Sequence, residues 1–113
     1  MSKTTISDNN PVVCVVDDDP AIRHSMTSLL ESVGMRCKTY ATADDFLRDF
    51  APDESACLVL DIRLPGMSGL DLQERLNGMG ASIPIIVITG YADVEMAVTA
   101  MRRGAFNFIE KPY

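Results

Sequence analysis

Histidine and soft metal ligands are scarce in this chain: His24 is the only histidine among 113 residues, and the three cysteines, Cys14, Cys37 and Cys57, form no CxxC pair. With no histidine at ligand spacing, the cysteines read as small buried hydrophobes of a reducing compartment rather than as metal or redox centres. Basic charge is also in deficit. Ten Lys and Arg stand against sixteen Asp and Glu, a net charge of −6, which argues against direct nucleic acid binding by this chain and suits a site that recruits a cation. No apolar run approaches membrane-spanning length and no basic start with an apolar run marks a signal peptide, so no membrane role and a cytoplasmic location are expected. Repeats and low-complexity stretches are missing, and 113 residues leave room for one domain only. What remains, 47% apolar and 23% charged, is the composition of a globular domain with a real core.

The rest of the chain is organised around Leu58-Val59-Leu60-Asp61-Ile62-Arg63-Leu64-Pro65-Gly66-Met67-Ser68-Gly69. Its apolar start reads as a buried parallel strand that delivers the Asp61 carboxylate to its C-terminal end, where open α/β sheets bind ligands. The Pro65-Gly66 turn takes the backbone away at once, leaving Asp61 at the rim as a candidate nucleophile or metal ligand. A lone aspartate there would more often cap or solvate a turn. The other strand ends decide between these readings.

Residues 1–11 are polar and without period, a flexible N-terminal arm. The β-branched run Val12 to Val16 reads as a central strand ending in Asp17-Asp18-Asp19-Pro20. Asp19 before Pro20 is an N-cap with proline in the first turn. Ile22, Met26, Leu29, Leu30 and Val33 then recur at helical spacing up to Gly34, predicting a packed amphipathic helix. Residues 35–40 form a short strand, and Thr42 with Asp45 opens a helix that Pro52 closes. Beyond Asp61, Ser68 with Asp71 caps a helix that ends at Gly78 and Gly80. The most apolar strand, residues 84–90, brings Thr89 to its end. Asp93 is expected to cap the next helix, with Val94, Ala97, Val98 and Met101 inward, Arg102 and Arg103 at its negative end and Gly104 as its stop. Residues 106–110 form a fifth strand that presents Lys111 beside Pro112. The alternation βαβαβαβαβ implies an α/β domain with a parallel sheet, right-handed crossovers and helices on both faces.

If the first, third, fourth and fifth strands are neighbours, Asp17, Asp18, Asp61, Thr89 and Lys111 converge on one sheet edge. Hard oxygen donors without soft ligands suit magnesium, with Asp18 and Asp61 as direct ligands. A divalent ion would offset carboxylate repulsion and draw charge from an incoming phosphoryl group, while Lys111 supplies a compensating cation and Thr89 a hydroxyl donor. Asp61 could then attack phosphorus. His24, among solvent-facing helical residues, reads as a surface histidine, and the seven methionines mostly as core filler.

The motifs Val-Asp-Asp-Asp-Pro, Leu-Asp-Ile-Arg-Leu-Pro-Gly-Met-Ser-Gly, Ile-Thr-Gly and Glu-Lys-Pro together resemble the receiver domain of two-component response regulators. The stretch from Ile88 to Pro112 is similar to the FixJ type within the CheY-like superfamily, whose members often carry a helix-turn-helix output domain. The likeness covers residues 12–113. It implies a flavodoxin-like doubly wound five-stranded sheet of order 2-1-3-4-5, a phosphoryl group taken from a sensor histidine kinase onto Asp61 with Mg2+ or Mn2+, and a conformational switch that controls an output, transcription through a domain outside this sequence. By the family pattern Asp17 binds metal through water, Asp18 and Asp61 directly and Arg63 through its backbone carbonyl; Thr89 and Lys111 stabilise the phosphoryl group, Thr89 and Phe108 form the switch pair, and Arg63 and Tyr91 modulate its lifetime. Such a domain is a phosphoacceptor rather than an enzyme, catalysing only its own phosphorylation and dephosphorylation.

Two departures stand out. Phe108 has no hydroxyl where family members commonly have tyrosine, and the sequence stops at Tyr113 where the family continues into a fifth helix. Without that helix an apolar patch is expected over the last strand and the flank of the first helix, covered in a longer chain or by a second copy in a homodimer. The rival reading is a haloacid-dehalogenase-like, magnesium-dependent phosphatase, which shares the strand-end aspartate. It resembles Asp-x-Asp, however, and Arg63 stands where the second carboxylate would act as general acid and base. A flavin module is disfavoured too, since its phosphate cradle needs a hydroxyl- and glycine-rich loop after the first strand, not three aspartates.

Overall fold

In the computed structural model, which describes residues 11–51, 55–90 and 93–110, the apolar runs become five parallel strands. These are β1 (Val12–Val16), β2 (Arg36–Tyr40), β3 (Ala56–Asp61), β4 (Ile85–Thr89) and β5 (Asn107–Glu110). Between them run α1 (Pro20–Ser32), α2 (Ala43–Asp49), α3 (Gly69–Gly78) and α4 (Val94–Arg102). The sheet order is β2-β1-β3-β4-β5, a flavodoxin-like doubly wound arrangement in which the order reverses between β1 and β3. Residues 1–10 of the expected arm 1–11, together with Pro52, Tyr91, Lys111, Pro112 and Tyr113, lie outside the described residues.

Strand side chains alternate between faces, so each strand supplies two half-cores. One face joins Val12, Cys14, Val16, Leu58, Leu60, Ile85 and Val87 to Phe46 of α2, Leu72 and Leu76 of α3 and Ala97 and Ala100 of α4. Phe46 is fully enclosed, edge-on to Tyr40 and stacked on Phe50. Buried Gln73 ties α3 to α4 by donating from Nε2 to the Ala100 carbonyl at 2.9 Å. The other face joins Val13, Val15, Val59 and Ile88 to Met26 and Leu30 of α1.

Here the structure departs from the packed first helix expected from apolar spacing. No residue of α1 is buried, and Leu29 and Val33 are 61% and 66% exposed. Among the described residues α1 is the one helix with its apolar side on this face, so its flank and the sheet beside it stay open. Cys14 is buried, whereas Cys37 and Cys57 are half-buried, and burial pushes both of those thiols up from the ordinary value.

Helix starts follow their caps in three of four cases. Asp19 Oδ1 accepts from Ala21 N, Thr42 from Asp45 N, and Ser68 and Asp71 form a full reciprocal capping box. In α2 Thr42 supplies its half of the box, and the Asp45 side chain pairs with Arg48. The fourth case is a correction: Asp93 precedes α4 but makes no side-chain cap bond, because its carboxylate is engaged elsewhere.

Candidate functional site

Strand register builds the site. Val16 pairs with Leu60, which sets Asp17 level with Asp61, while Asp61 pairs with Ile88 and Thr89 with Glu110. The C-terminal residues of β1, β3 and β4 thus meet at the switch point of the sheet. One carboxylate oxygen from each of Asp17, Asp18 and Asp61 lies within 4.8 Å of the others. Asp17 and Asp61 are buried and Asp18 is exposed, so the trio forms a cleft with an acidic floor and one solvent-facing wall.

Local hydrogen bonds fix these carboxylates. Asp17 Oδ1 accepts from Asp19 N at 2.9 Å, and the Asp17 carbonyl accepts from Arg23 Nη1 at 2.8 Å. Asp61 Oδ1 accepts from Arg63 N at 3.0 Å, an Asx turn that folds the chain back as it leaves β3. The α3 start packs against that turn: Gly69 N donates to the Ile62 carbonyl at 3.0 Å, and a Cβ at Gly69 would stand 2.5 Å from the Asp61 carbonyl oxygen. Only glycine allows this approach. Gly69 and Arg23 carry no chemistry and were invisible as site residues in the sequence; a glycine directly after a serine cap, where better helix formers are available, is the one hint.

The remaining expected residues divide. Thr89 is fully buried, and its Oγ1 donates to the Gly90 carbonyl at 3.1 Å. Phe108 pairs with Val87 in the sheet and so shares the helix-rich side, yet the residue is 41% exposed. Thr89 and Phe108 therefore lie on adjacent strands, two positions apart in register. Arg63 extends its side chain to Asp93, with Nε 2.5 Å from Oδ1. Tyr91 and Lys111 lie outside the described residues. Beside the carboxylates an open groove of about 420 Å³ runs between Asp18, Arg63, Pro65, Ser68 and Met96. His24 is exposed and remote in role.

The donor set fits magnesium: three carboxylates, with no sulfur or imidazole among the described ligating groups at this edge, match a hard divalent cation. Close carboxylates repel, and such a cation offsets that repulsion.

Residues 13–113 match the family model described as response regulator receiver domain. The chain is 42% identical over 113 residues to the response regulator protein TmoT of Ectopseudomonas mendocina, covering all of this chain and 51% of that protein. It is 46% identical over 101 residues to the transcriptional regulatory protein FixJ of Azorhizobium caulinodans, covering 89% of this chain and 48% of that protein. The crystal structure of FixJ-N superposes with a TM-score of 0.85 at 45% identity, over 92% of this chain and 83% of that one. The chain thus spans about half the length of the curated relatives it matches. With the 2-1-3-4-5 sheet, the carboxylates at its switch point and a family match that runs through both, the chain belongs to the response regulator receiver domains.

Proposed function

We propose that the chain is the phosphoacceptor of a two-component pathway, taking a phosphoryl group from a sensor histidine kinase onto Asp61. The observation that carries the reading is the trio Asp17, Asp18 and Asp61 gathered within 4.8 Å at the end of β1 and β3. Asp17, through water, and Asp18 and Asp61, directly, would hold Mg2+ or Mn2+ together with the Arg63 backbone carbonyl. The ion supplies charge neutralisation among the carboxylates and on the phosphoryl oxygens. An Asp61 carboxylate oxygen donates its electron pair to phosphorus as the P–N bond of the kinase phosphohistidine breaks, and the released imidazole takes up a proton. Thr89 and Lys111 stabilise the phosphoryl oxygens, Thr89 by turning its hydroxyl from the Gly90 carbonyl toward them. The space it leaves is then open to Phe108, whose exposed ring is a starting point for such burial. Arg63 and Tyr91, both bulky, tune the lifetime by hindering hydrolytic water.

The wider reading follows from the same site. Residues 1–11 serve as an arm and residues 12–113 as the receiver, in a cytoplasmic regulator whose output is transcriptional, a proposal supported by the name of the FixJ relative. Self-association of two copies through the open sheet face is part of it. A haloacid-dehalogenase-like phosphatase is not favoured, since Arg63 replaces the second carboxylate and the exposed guanidinium cannot shuttle protons near neutrality. Incubation with a small phosphodonor and magnesium, followed by intact-mass measurement, tests the core of the reading. A single acid-labile adduct of one phosphoryl group is expected, and it should be absent from Asp61→Asn; an adduct that survives that substitution, or no adduct at all, overturns it.

A further inference from the structure

The pair between Arg63 and Asp93 joins two loops 30 residues apart, and its two ends are unlike. The Asp93 side chain is 7% exposed and that of Arg63 68% exposed. A buried carboxylate needs a partner, while an exposed guanidinium gives up little hydration to provide one. The partner Asp93 has is unexpected for its place. It stands at the N-cap of α4, yet Asp19, Thr42 and Ser68 all accept a backbone N–H at their own helix starts and Asp93 does not. Its backbone, at φ −111 and ψ 21, is also away from the extended geometry of those three caps. The carboxylate therefore has two competing uses, clasping Arg63 or capping α4, and the structure holds the first.

Arg63 in turn is held beside the phosphoacceptor. Its backbone N–H already donates to Asp61 Oδ1, and its side chain lines the groove next to Asp18. Asp93 lies four residues after Thr89, with its backbone N–H bonded to the Gly90 carbonyl at 3.0 Å. From these two placements we infer that Asp93 is a positioning residue for the Asp61 site: it clasps the Arg63 guanidinium while Asp61 is unmodified, and a phosphoryl group on Asp61 competes for that guanidinium and opens the clasp. The inference rests on the phosphoacceptor reading above. A phosphoryl group adds nearly two negative charges and three acceptor oxygens close to Arg63, which is sufficient to contest a single carboxylate. Asp93, once released, is available as a side-chain cap for the start of α4.

Two measurements on this chain test it. In nitrogen-detected NMR the Arg63 Nε–H signal should stand apart from those of the other arginines, lose that separation in Asp93→Asn, and lose it in the parent when beryllofluoride and magnesium occupy the site. An Arg63 signal among the others in the unmodified parent overturns the clasp whether or not Asp61 is a phosphoacceptor. In the second, beryllofluoride is titrated into the parent, Asp93→Asn, Arg63→Ala and the double variant. A clasp made only in the unmodified state predicts about fivefold tighter binding in Asp93→Asn, and no such gain when Asp93→Asn is added to Arg63→Ala. An equal gain in both backgrounds would reduce Asp93 to one more negative charge near an anion site and overturn the inference. A parent with the separated Arg63 signal but no beryllofluoride binding takes down the phosphoacceptor reading, and the proposed competition with it.

Discussion

The two faces of the sheet are made from the same strands and similar residues, but they end in different states. On one, α2, α3 and α4 enclose Leu58, Leu60, Val87 and Phe46 completely. On the other, among the described residues, α1 alone covers Val13, Val15, Val59 and Ile88, and an apolar cavity of about 280 Å³ lies between Met26, Leu29, Val59, Ile86, Ile88 and Ile109. Alternation of apolar residues makes a strand two-faced whether or not anything covers the second face. What the difference teaches is that the acceptor site draws on both sides: Asp17 and Asp61 continue the parity of Val15 and Val59 on the open face, whereas Thr89 shares the parity of Val87 and Gly69 brings α3 against the Asp61 turn.

The largest effect that would sharpen this contrast is in core truncation. Leu60 and Ile88 are both essentially inaccessible, on adjacent strands and opposite faces. Leu60→Ala should cost about 3–5 kcal/mol, whereas Ile88→Ala should cost about 2 kcal/mol, since a site with one helix over it can collapse. Urea denaturation measures both; equal losses would erase the distinction between the faces. Next in size is Gly69→Ala. A methyl group 2.5 Å from the Asp61 carbonyl oxygen forces α3 or the turn to shift, at about 1–3 kcal/mol. Adduct formation at Asp61 should fall with it, and an unchanged yield would show that the close approach does not position the carboxylate.

Thr89→Ala should change stability by about 1 kcal/mol and its consequence should be in signalling. It is expected to accept a phosphoryl group without the spectral change expected of the parent, because the hydroxyl proposed to turn toward the phosphoryl group is gone. If the change persists, the link does not run through Thr89. The smallest effect belongs to the open face. Leu29→Ser and Ile109→Ser replace side chains that are 61% and 44% exposed, so each should alter stability within about 0.5 kcal/mol. Both should lower hydrophobic-dye binding and any self-association in a sedimentation series. A parent that is monomeric and binds no dye would show that this apolar surface is quiet in solution.

Much of this was legible before any coordinates. Apolar runs ending in Asp17, Asp61 and Thr89 identify strands and their rims because a buried parallel strand must be apolar until it leaves the sheet. Ser68 and Asp71 announce the α3 start because a capping box is a local arrangement, complete within four residues. Asp93 carries the same local signal and misleads, for its carboxylate is claimed by Arg63 from 30 residues away. The apolar spacing in α1 misleads in another way: periodicity reports which side of a helix is greasy, and burial depends on what else arrives to cover it.

The sequence by itself determined the order of the elements and the identity of the acidic and hydroxyl groups at the strand ends, which follow from local composition and spacing, and its motifs carried the resemblance to the family. Tertiary structure alone decided that Asp17, Asp18 and Asp61 share a site within 4.8 Å, that Gly69 could be nothing larger, and that Asp93 serves Arg63 instead of its own helix. The physical reason is range. Propensity, capping and turn chemistry act over a few residues, whereas register, close backbone approach and the pairing of a buried charge depend on which distant segments the sheet brings side by side.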